Sequence, residues 1–257
     1  MESRGKRFDP MALAILVLAA IAGVMILVLS HSGCKEPAPP AQPSVTSPPG
    51  ETPKASAEKP GTEAPKPSET PAAEDGRALF DGKTLTGWKV TPFGGEGKVE
   101  VQDGQLILNQ GAGDLTGVTW TAGGLPNMNY EVSLEAMRVD GSDFFCGLTF
   151  PVRNTCCSLI VGGWGGSLVG LSCFDFMDAA NNETTKIIPF DNKRWYAIRL
   201  RVTETKIEAW IDDKQVVDAE PGTRKISVRI EVEESQPFGV AAFRTKAAIR
   251  NIHIRPL

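Results

Sequence analysis

The side chains able to do chemistry in this chain are carboxylates, indoles and thiols more than imidazoles. Two of 257 residues are histidine: His31 stands at the edge of an apolar run, and His253 has no second histidine or nucleophile accompanying it. Acid–base work centred on histidine therefore has no visible machinery, and a zinc centre has none either, since no histidine lies near the clustered cysteines. Cleaving a glycosidic bond needs two carboxyl groups about 5–9.5 Å apart. Glu131 and Glu135 share one strand face, but four residues at ~3.3 Å each place them roughly 13 Å apart. Glu131 with Glu231, or Glu208 with a loop aspartate, are pairings that the sequence leaves open.

Trp164 stands alone within Gly162-Gly163-Trp164-Gly165-Gly166. The flanking glycines free the backbone, so the indole is either a stacking platform for a sugar ring or a cap folded over a sheet edge. Asp140-Gly141-Ser142-Asp143 and Asp175–Asp178 carry carboxylates in turn settings. Such oxygens suit calcium and equally suit ordinary turn hydrogen bonding, and no other cofactor is expected. The candidate saccharide contacts are Trp164, Asp143, Glu131, Arg199 and Trp210. Four clustered thiols, Cys146, Cys156, Cys157 and Cys173, allow several pairings. A hairpin of Thr155–Val161 with Leu168–Phe174, closed by the glycine loop, sets Cys156 opposite Cys173 as a candidate disulfide; buried unpaired thiols are the alternative.

Three segments carry these residues. In residues 1–33, Arg4, Lys6 and Arg7 precede an uncharged run from Met11 to Leu29. About 20 apolar residues span a ~30 Å hydrocarbon core, whereas a cleavable signal has an apolar core of ~7–15. The basic flank keeps the amino end in the cytoplasm and exports the rest. Ser32-Gly33-Cys34 resembles a lipoprotein cleavage site, with His31 where an aliphatic residue is usual. The expectation is one transmembrane helix as a single-pass anchor, with lipidation at Cys34 as the alternative, and a domain facing the periplasm or cell surface. Residues 34–76 hold 11 of the 19 prolines and no aromatic residue. They cannot bury enough apolar surface to order themselves, so a disordered spacer of ~3 Å per residue, on the order of 100 Å in reach, is expected. Residues 77–257 suffice for one sizeable core. A net charge of −4, from 27 basic and 31 acidic residues, offers no broad basic surface and argues against nucleic acid as a partner.

Period-2 alternation runs through that last segment, with no long helical stripe competing. Tyr130, Val132, Leu134 and Ala136 alternate with polar neighbours, as do Tyr196, Ile198, Leu200 and Val202, then Ile226, Val228, Ile230 and Val232, then Ile252 and Ile254. Asp103-Gly104 is a hairpin turn pair within Val99–Leu108. A turn at Glu204-Thr205 pairs Val202 with Ile207, Leu200 with Ala209 and Ile198 with Ile211 on one face. The other face then sets Arg201 against Glu208 as an ion pair and Arg199 against Trp210 as a cation–π contact, a structural polar face. Many short strands of this kind predict an all-β sandwich or jelly roll.

The opening Leu79-Phe80-Asp81-Gly82-Lys83-Thr84-Leu85-Thr86-Gly87-Trp88 closely resembles the start of the 3-keto-disaccharide hydrolase family. Val101–Leu106, Tyr130-Glu131-Val132, Trp195-Tyr196, Ile207–Trp210 and the closing Arg250–Leu257 follow in the family's order. The resemblance implies a concanavalin A/laminin G-like jelly-roll sandwich in an exported, saccharide-related protein, with hydrolysis of 3-keto-glycosides as the family's activity. It also marks departures. Where the family carries Gly-Leu-Gln-x-His, this chain has Gly239-Val240-Ala241-Ala242-Phe243; where it carries Asn-Ser-Gly-Ile-x-x-Arg, this chain runs from Phe145 to Pro151. His-Trp-Leu-Asn-Gly is matched by Ala209-Trp210-Ile211-Asp212-Asp213. The expected function is saccharide hydrolysis or a degenerate form of it, with a noncatalytic carbohydrate-binding or envelope-adhesion module as the alternative.

Overall fold

Alternating burial organises the domain into two antiparallel sheets in a computed structural model that describes residues 76–257. The back sheet runs in spatial order β13 (Lys214–Ala219), β12 (Ile207–Ile211), β11 (Trp195–Val202), β6 (Tyr130–Gly141), β15 (Thr245–Pro256), β4 (Gln105–Leu108) and β3 (Val99–Gln102), with β1 (Arg77–Ala78) paired to β15. The front sheet runs β10 (Lys186–Ile187), β9 (Leu168–Ser172), β8 (Thr155–Gly163), β7 (Cys146–Val152), β14 (Gly239–Phe243), β5 (Leu115–Trp120) and β2 (Trp88–Val90). Neighbours distant in sequence, such as β6 with β15 and β7 with β14, give the jelly-roll character. The anchor, Cys34 and all but the last residue of the spacer lie outside the described residues. Among the described residues no helix is long and apolar enough to cross a membrane.

The core fills the space between the sheets with one face of each strand, as an aligned sandwich requires. Tyr130, Val132, Leu134 and Ala136 of β6 meet Leu148, Phe150, Leu159 and Leu171 of the front sheet in one buried cluster. The β11–β12 hairpin has the expected register, Val202 with Ile207 through Ile198 with Ile211. Asp103 and Gly104, with φ of 51° and 76°, close the β3–β4 hairpin in left-handed conformation, as a type I′ turn demands.

The expected strand at Ile226–Val232 does not form. This stretch makes one isolated bridge, Ile226 to Phe174, and then winds into a short 3-10 helix, Ile230–Ser235, that leaves Ile230 83% exposed. Its alternation matched a strand, but it lies across the outer face of the front sheet rather than within a sheet.

On the outer face of the back sheet, three arginines converge on one carboxylate. Arg255 reaches Glu131 Oε1 through Nη2 at 2.8 Å, while Arg201 Nη2 at 2.9 Å and Arg199 Nη1 at 3.3 Å reach Oε2. The expected ion pair of Arg201 with Glu208 is thereby redirected: the two are cross-strand partners, but Glu131 is the more buried acceptor and takes the guanidinium. Burial alone would raise the Glu131 carboxyl, yet hydrogen bonds from Arg255 and Arg201 outweigh it and hold the group below its ordinary value. A depressed folded value gives stability that is present above the unfolded value of ~4.3 and lost as pH falls through the folded one. Glu131→Ala is expected to cost about 1–3 kcal/mol at neutral pH, by leaving three half-exposed guanidiniums facing each other. In urea titrations from pH 3 to 7, Glu131→Gln should flatten the acid limb of stability; an unchanged limb would show that Glu131 does not carry it.

Candidate functional site

The front sheet is buried on both faces. Gly117, Gly147, Thr149, Ser158, Gly170 and Gly239 stand on its outer face, alternating with core residues, and all are buried. A strap, residues 224–238, and the loop after β9 cover part of this face: a Cβ on Gly239 would lie 2.8 Å from Ser235 O, and one on Gly170 would lie 3.0 Å from Ala179 O. Thr119 Oγ1 donates to Glu234 O at 2.9 Å, and Cys173 N–H donates to Ser227 O at 2.7 Å. Ion pairs hold the strap to the loop after β9: Arg224 with Asp175 at 2.6 Å and Glu183 at 2.8 Å, and Arg229 with Asp178 at 3.0 Å.

Where the strap ends, a cavity of about 250 Å³ remains. Ser158, Ile160 and Ser172 form its floor, and Arg229, Glu231 and Val232 of the strap form one wall. Phe144 and Phe243, stacked with centroids 5.6 Å apart at 26°, form the opposite side, and Trp164 stands at the rim, 46% exposed.

The rim is held from inside the sandwich. Arg138 points from β6 between the sheets and is buried, with no carboxylate partner among the described residues. Its guanidinium donates to Asn192 Oδ1 at 2.6 Å, to Phe190 O at 2.6 Å, and through Nη1 to Gly166 O at 3.1 Å and Asp143 O at 3.3 Å. One side chain thus joins the β6–β7 loop to the Trp164 loop. Gly166, at φ +108°, admits this approach: a Cβ there would lie 2.8 Å from both Arg138 Nη1 and Ser142 O. Asp143 repeats the tie outside, its Oδ1 accepting Phe144 N–H at 2.8 Å and its Oδ2 accepting Gly165 N–H at 3.0 Å.

The sequence-derived candidates divide between the two sheets. Trp164 and Asp143 line the cavity. Glu131, Arg199 and Trp210 lie on the back sheet across the core, where Arg199 packs 3.9 Å from the Trp210 ring centroid and bonds to Glu131. They form the structural polar face and share no cavity with Trp164. Glu131 and Glu231 likewise stand on opposite sheets. Phe144 and Arg229 escaped the sequence reading, and Glu231 entered it only as a possible partner of Glu131. Phe243 was detectable as the residue in place of the family's histidine, whereas Arg229 and Glu231 were hidden by the strand-like pattern around them.

Cys156 and Cys173 are free thiols, not a disulfide. The ladder pairs Ser158 with Ser172, and a bulge between Val161 and Gly163 shifts the register by one residue. Continued, that register sets position 173 against Cys157, not Cys156, and adjacent strand residues point to opposite faces. Burial pushes the Cys146 and Cys157 thiols up to about 12. Three of the four turn aspartates considered for calcium are engaged by protein donors: Asp143 as above, Asp175 by Arg224 and Lys225 N–H, Asp178 by Arg229 and Ala180 N–H. Among the described residues no group of three or more histidine, cysteine or carboxylate side chains is arranged to hold a metal.

Acid–base resources at the cavity are thin. Hydrogen bonds from Arg229 hold the Glu231 carboxyl below its ordinary value, so it is ionised and not a proton donor near neutrality. His253, the one histidine among the described residues, lies on the back sheet with Nδ1 2.9 Å from Asn251 O.

Residues 75–255 match the 3-keto-alpha-glucoside-1,2-lyase-like domain. The chain belongs to that family. No curated protein sequence matches it significantly. Among solved structures it is similar to a Bacillus subtilis protein of unknown function with a galectin-like fold, at 10% identity over 71% of this chain and 97% of that one, TM-score 0.51. It is also similar to a carbohydrate-binding module from Bacillus subtilis, at 17% identity over 65% and 93% of the two chains, TM-score 0.42. Domain 4 of an extracellular arabinanase from Geobacillus stearothermophilus, solved with arabinotriose, shares 14% identity over 71% and 94%, TM-score 0.45.

Family membership gives the departures a location. Ala241 and Phe243, at the positions of the family's glutamine and histidine, lie together in the apolar cluster of the front sheet's outer face, and Phe243 lines the cavity itself. Pro151, at the position of its arginine, lines a more open cavity of about 630 Å³ elsewhere on the front sheet, beside Thr119, Cys156 and Pro237. Phe145 and Ala209, by contrast, are core residues.

Arg138→Met should destabilise the domain by about 2–4 kcal/mol, since three carbonyls and an amide lose a buried donor. Arg138→Lys should recover less than half of that, because a point charge cannot reproduce the fork. Chemical denaturation of both variants checks this; near-wild-type stability in Arg138→Met would refute the clamp.

Proposed function

We propose that the domain is a saccharide-binding module that has lost the acid–base chemistry of its family and is held on the outer side of the cytoplasmic membrane by its amino-terminal segment. One observation carries this reading: phenylalanine lines the cavity where the resemblance implies histidine, at Phe243, and alanine stands in the adjoining apolar cluster where it implies glutamine, at Ala241. What is left suits binding. The exposed indole of Trp164 offers a flat apolar surface to the C–H face of a pyranose, and the Arg229–Glu231 pair, joined at 2.6 Å, offers donors and acceptors to ring hydroxyls. The jelly-roll frame holds these groups on strands and on loops tied by Arg138 and Asp143. The uncharged run at Met11–Leu29 and the proline-rich spacer support a tether with reach beyond the membrane.

The full chain in a non-glycosidic detergent should retain a defined set of saccharides on a glycan array while leaving 3-keto-disaccharides intact. Trp164→Ala should weaken that retention about tenfold, equivalent to ~1.4 kcal/mol. Turnover of a 3-keto-disaccharide would overturn the loss of chemistry, and silence in both assays would leave an envelope role with no small ligand.

A further inference from the structure

We infer that the cavity beside Trp164 takes a hexose bearing a methyl group on its inward edge, a 6-deoxyhexose or an O-methylated hexose. This rests on the saccharide-binding reading and adds which sugar the site selects. Size sets the first limit. About 250 Å³ is below the ~300–1,000 Å³ of sites for drug-sized ligands, so one ring enters and the rest of a glycan stays outside.

The polar inventory sets the second limit. Ser158 Oγ already shares a hydrogen bond with Thr149 Oγ1 at 2.9 Å. Both oxygens of Asp143 are taken by backbone N–H groups. Ser172 Oγ has only the Cys173 thiol, at 4.0 Å, as a neighbour of that kind. Phe144, Phe243, Ile160, Leu115 and Val232 present no polar side-chain atoms. Arg229, paired with Glu231 and Asp178, makes one wall charged, Ser172 Oγ adds a hydroxyl to the floor, and the Phe144–Phe243 side offers no polar side-chain atom.

An ordinary hexose carries hydroxyls all around its ring and at C6. Oriented with ring hydroxyls toward Arg229 and Glu231, it pushes its far edge against the Phe144–Phe243 stack. A hydroxyl there loses water and finds no partner, whereas a methyl group gains apolar contact. The histidine and glutamine that the family resemblance implies could serve a hydroxylated edge; phenylalanine and alanine at those positions cannot.

The test is calorimetric or surface binding of the full chain to matched neoglycoconjugates: L-fucose against L-galactose, L-rhamnose against L-mannose, and 6-O-methyl-D-glucose against D-glucose. At least one methyl-bearing member should bind about tenfold more tightly than its partner, and no more than ~100-fold, because an apolar pocket rejects an added hydroxyl only weakly. Phe243→His should erase or reverse the preference, and Phe243→Leu, which keeps the edge apolar and serves as the folding control, should retain it. Equal affinity within every pair, with other glycans bound on the array, overturns the selectivity and leaves the binding function standing. Absence of binding to any glycan overturns both.

Discussion

The rest of the structure depends on a sheet that is buried on both sides. A sandwich normally hides one face of each sheet and leaves the other wet. Here the strap crosses the outer face of the front sheet, so that face had to become small and largely apolar. Glycine keeps the face low: a Cβ on Gly239 would lie 2.8 Å from Ser235 O of the strap, one on Gly170 3.0 Å from Ala179 O of the loop after β9, and one on Gly117 2.7 Å from Val240 O of the neighbouring strand. The strap in turn needs anchors, because a short 3-10 helix with Ile230 in solvent cannot hold itself. Arg224 and Arg229 supply them by charge, and Thr119 and Cys173 supply them by hydrogen bonds to its backbone. The cavity is the part of this face that the strap leaves uncovered, so its shape is set by the covering, not by the strands alone.

The back sheet answers the opposite condition. Its outer face meets water, and it carries Arg199, Arg201, Arg250 and Arg255 among Glu131, Glu135, Trp195 and Trp210. The indoles serve as surfaces for guanidinium planes, Arg250 lying 4.1 Å over Trp195 as Arg199 lies 3.9 Å over Trp210. Such an array has the residue types of a sugar-binding surface, yet each indole is covered by a cation and Glu131 is saturated by three of them. Charged and aromatic residues at strand spacing therefore signal a binding face only when something leaves them uncovered.

That condition separates what was legible in the sequence from what was not. The β11–β12 register could be read residue by residue because both faces gave the same pairing: apolar opposite apolar inward, arginine opposite indole outward. The core residues of β6, β11 and β15 followed from alternation for the same reason. Ile226–Val232 also alternates, but alternation reports a preference for extended backbone, not the presence of a free edge to pair with. The cysteine register failed because the turn closes at Gly163 with Leu168, two residues tighter than expected, and the bulge at Gly162 recovers one of them; the remaining slip of one residue exchanges inward for outward side chains. Trp164 and Asp143 were found because glycines and turn aspartates announce loops. The place of Arg229 and Glu231 beside Trp164 was not legible, because it exists only once the strap is laid over the sheet.

The departures from the family pattern gain meaning from the same geometry. One departure, Ala209, is a core residue of β12 in the back sheet. Ala241 and Phe243 instead share the outer face of one strand, β14, and belong to one cluster with Phe144 and Ile160. Phe243 makes a stacked pair with Phe144 at 26°, a contact that an imidazole paired with water or substrate would forgo. Arg244 then lies over that ring at 5.1 Å while bonding to Asp114 at 2.7 Å, so the new aromatic is integrated with its neighbours. A site that merely decayed would be expected to hold voids or orphaned polar groups, and among the described residues no buried side-chain polar atom lacks a partner. The cavity is bounded on one side by apolar contact, and its rim is fixed by a buried guanidinium, so its shape is preorganised before any ligand arrives.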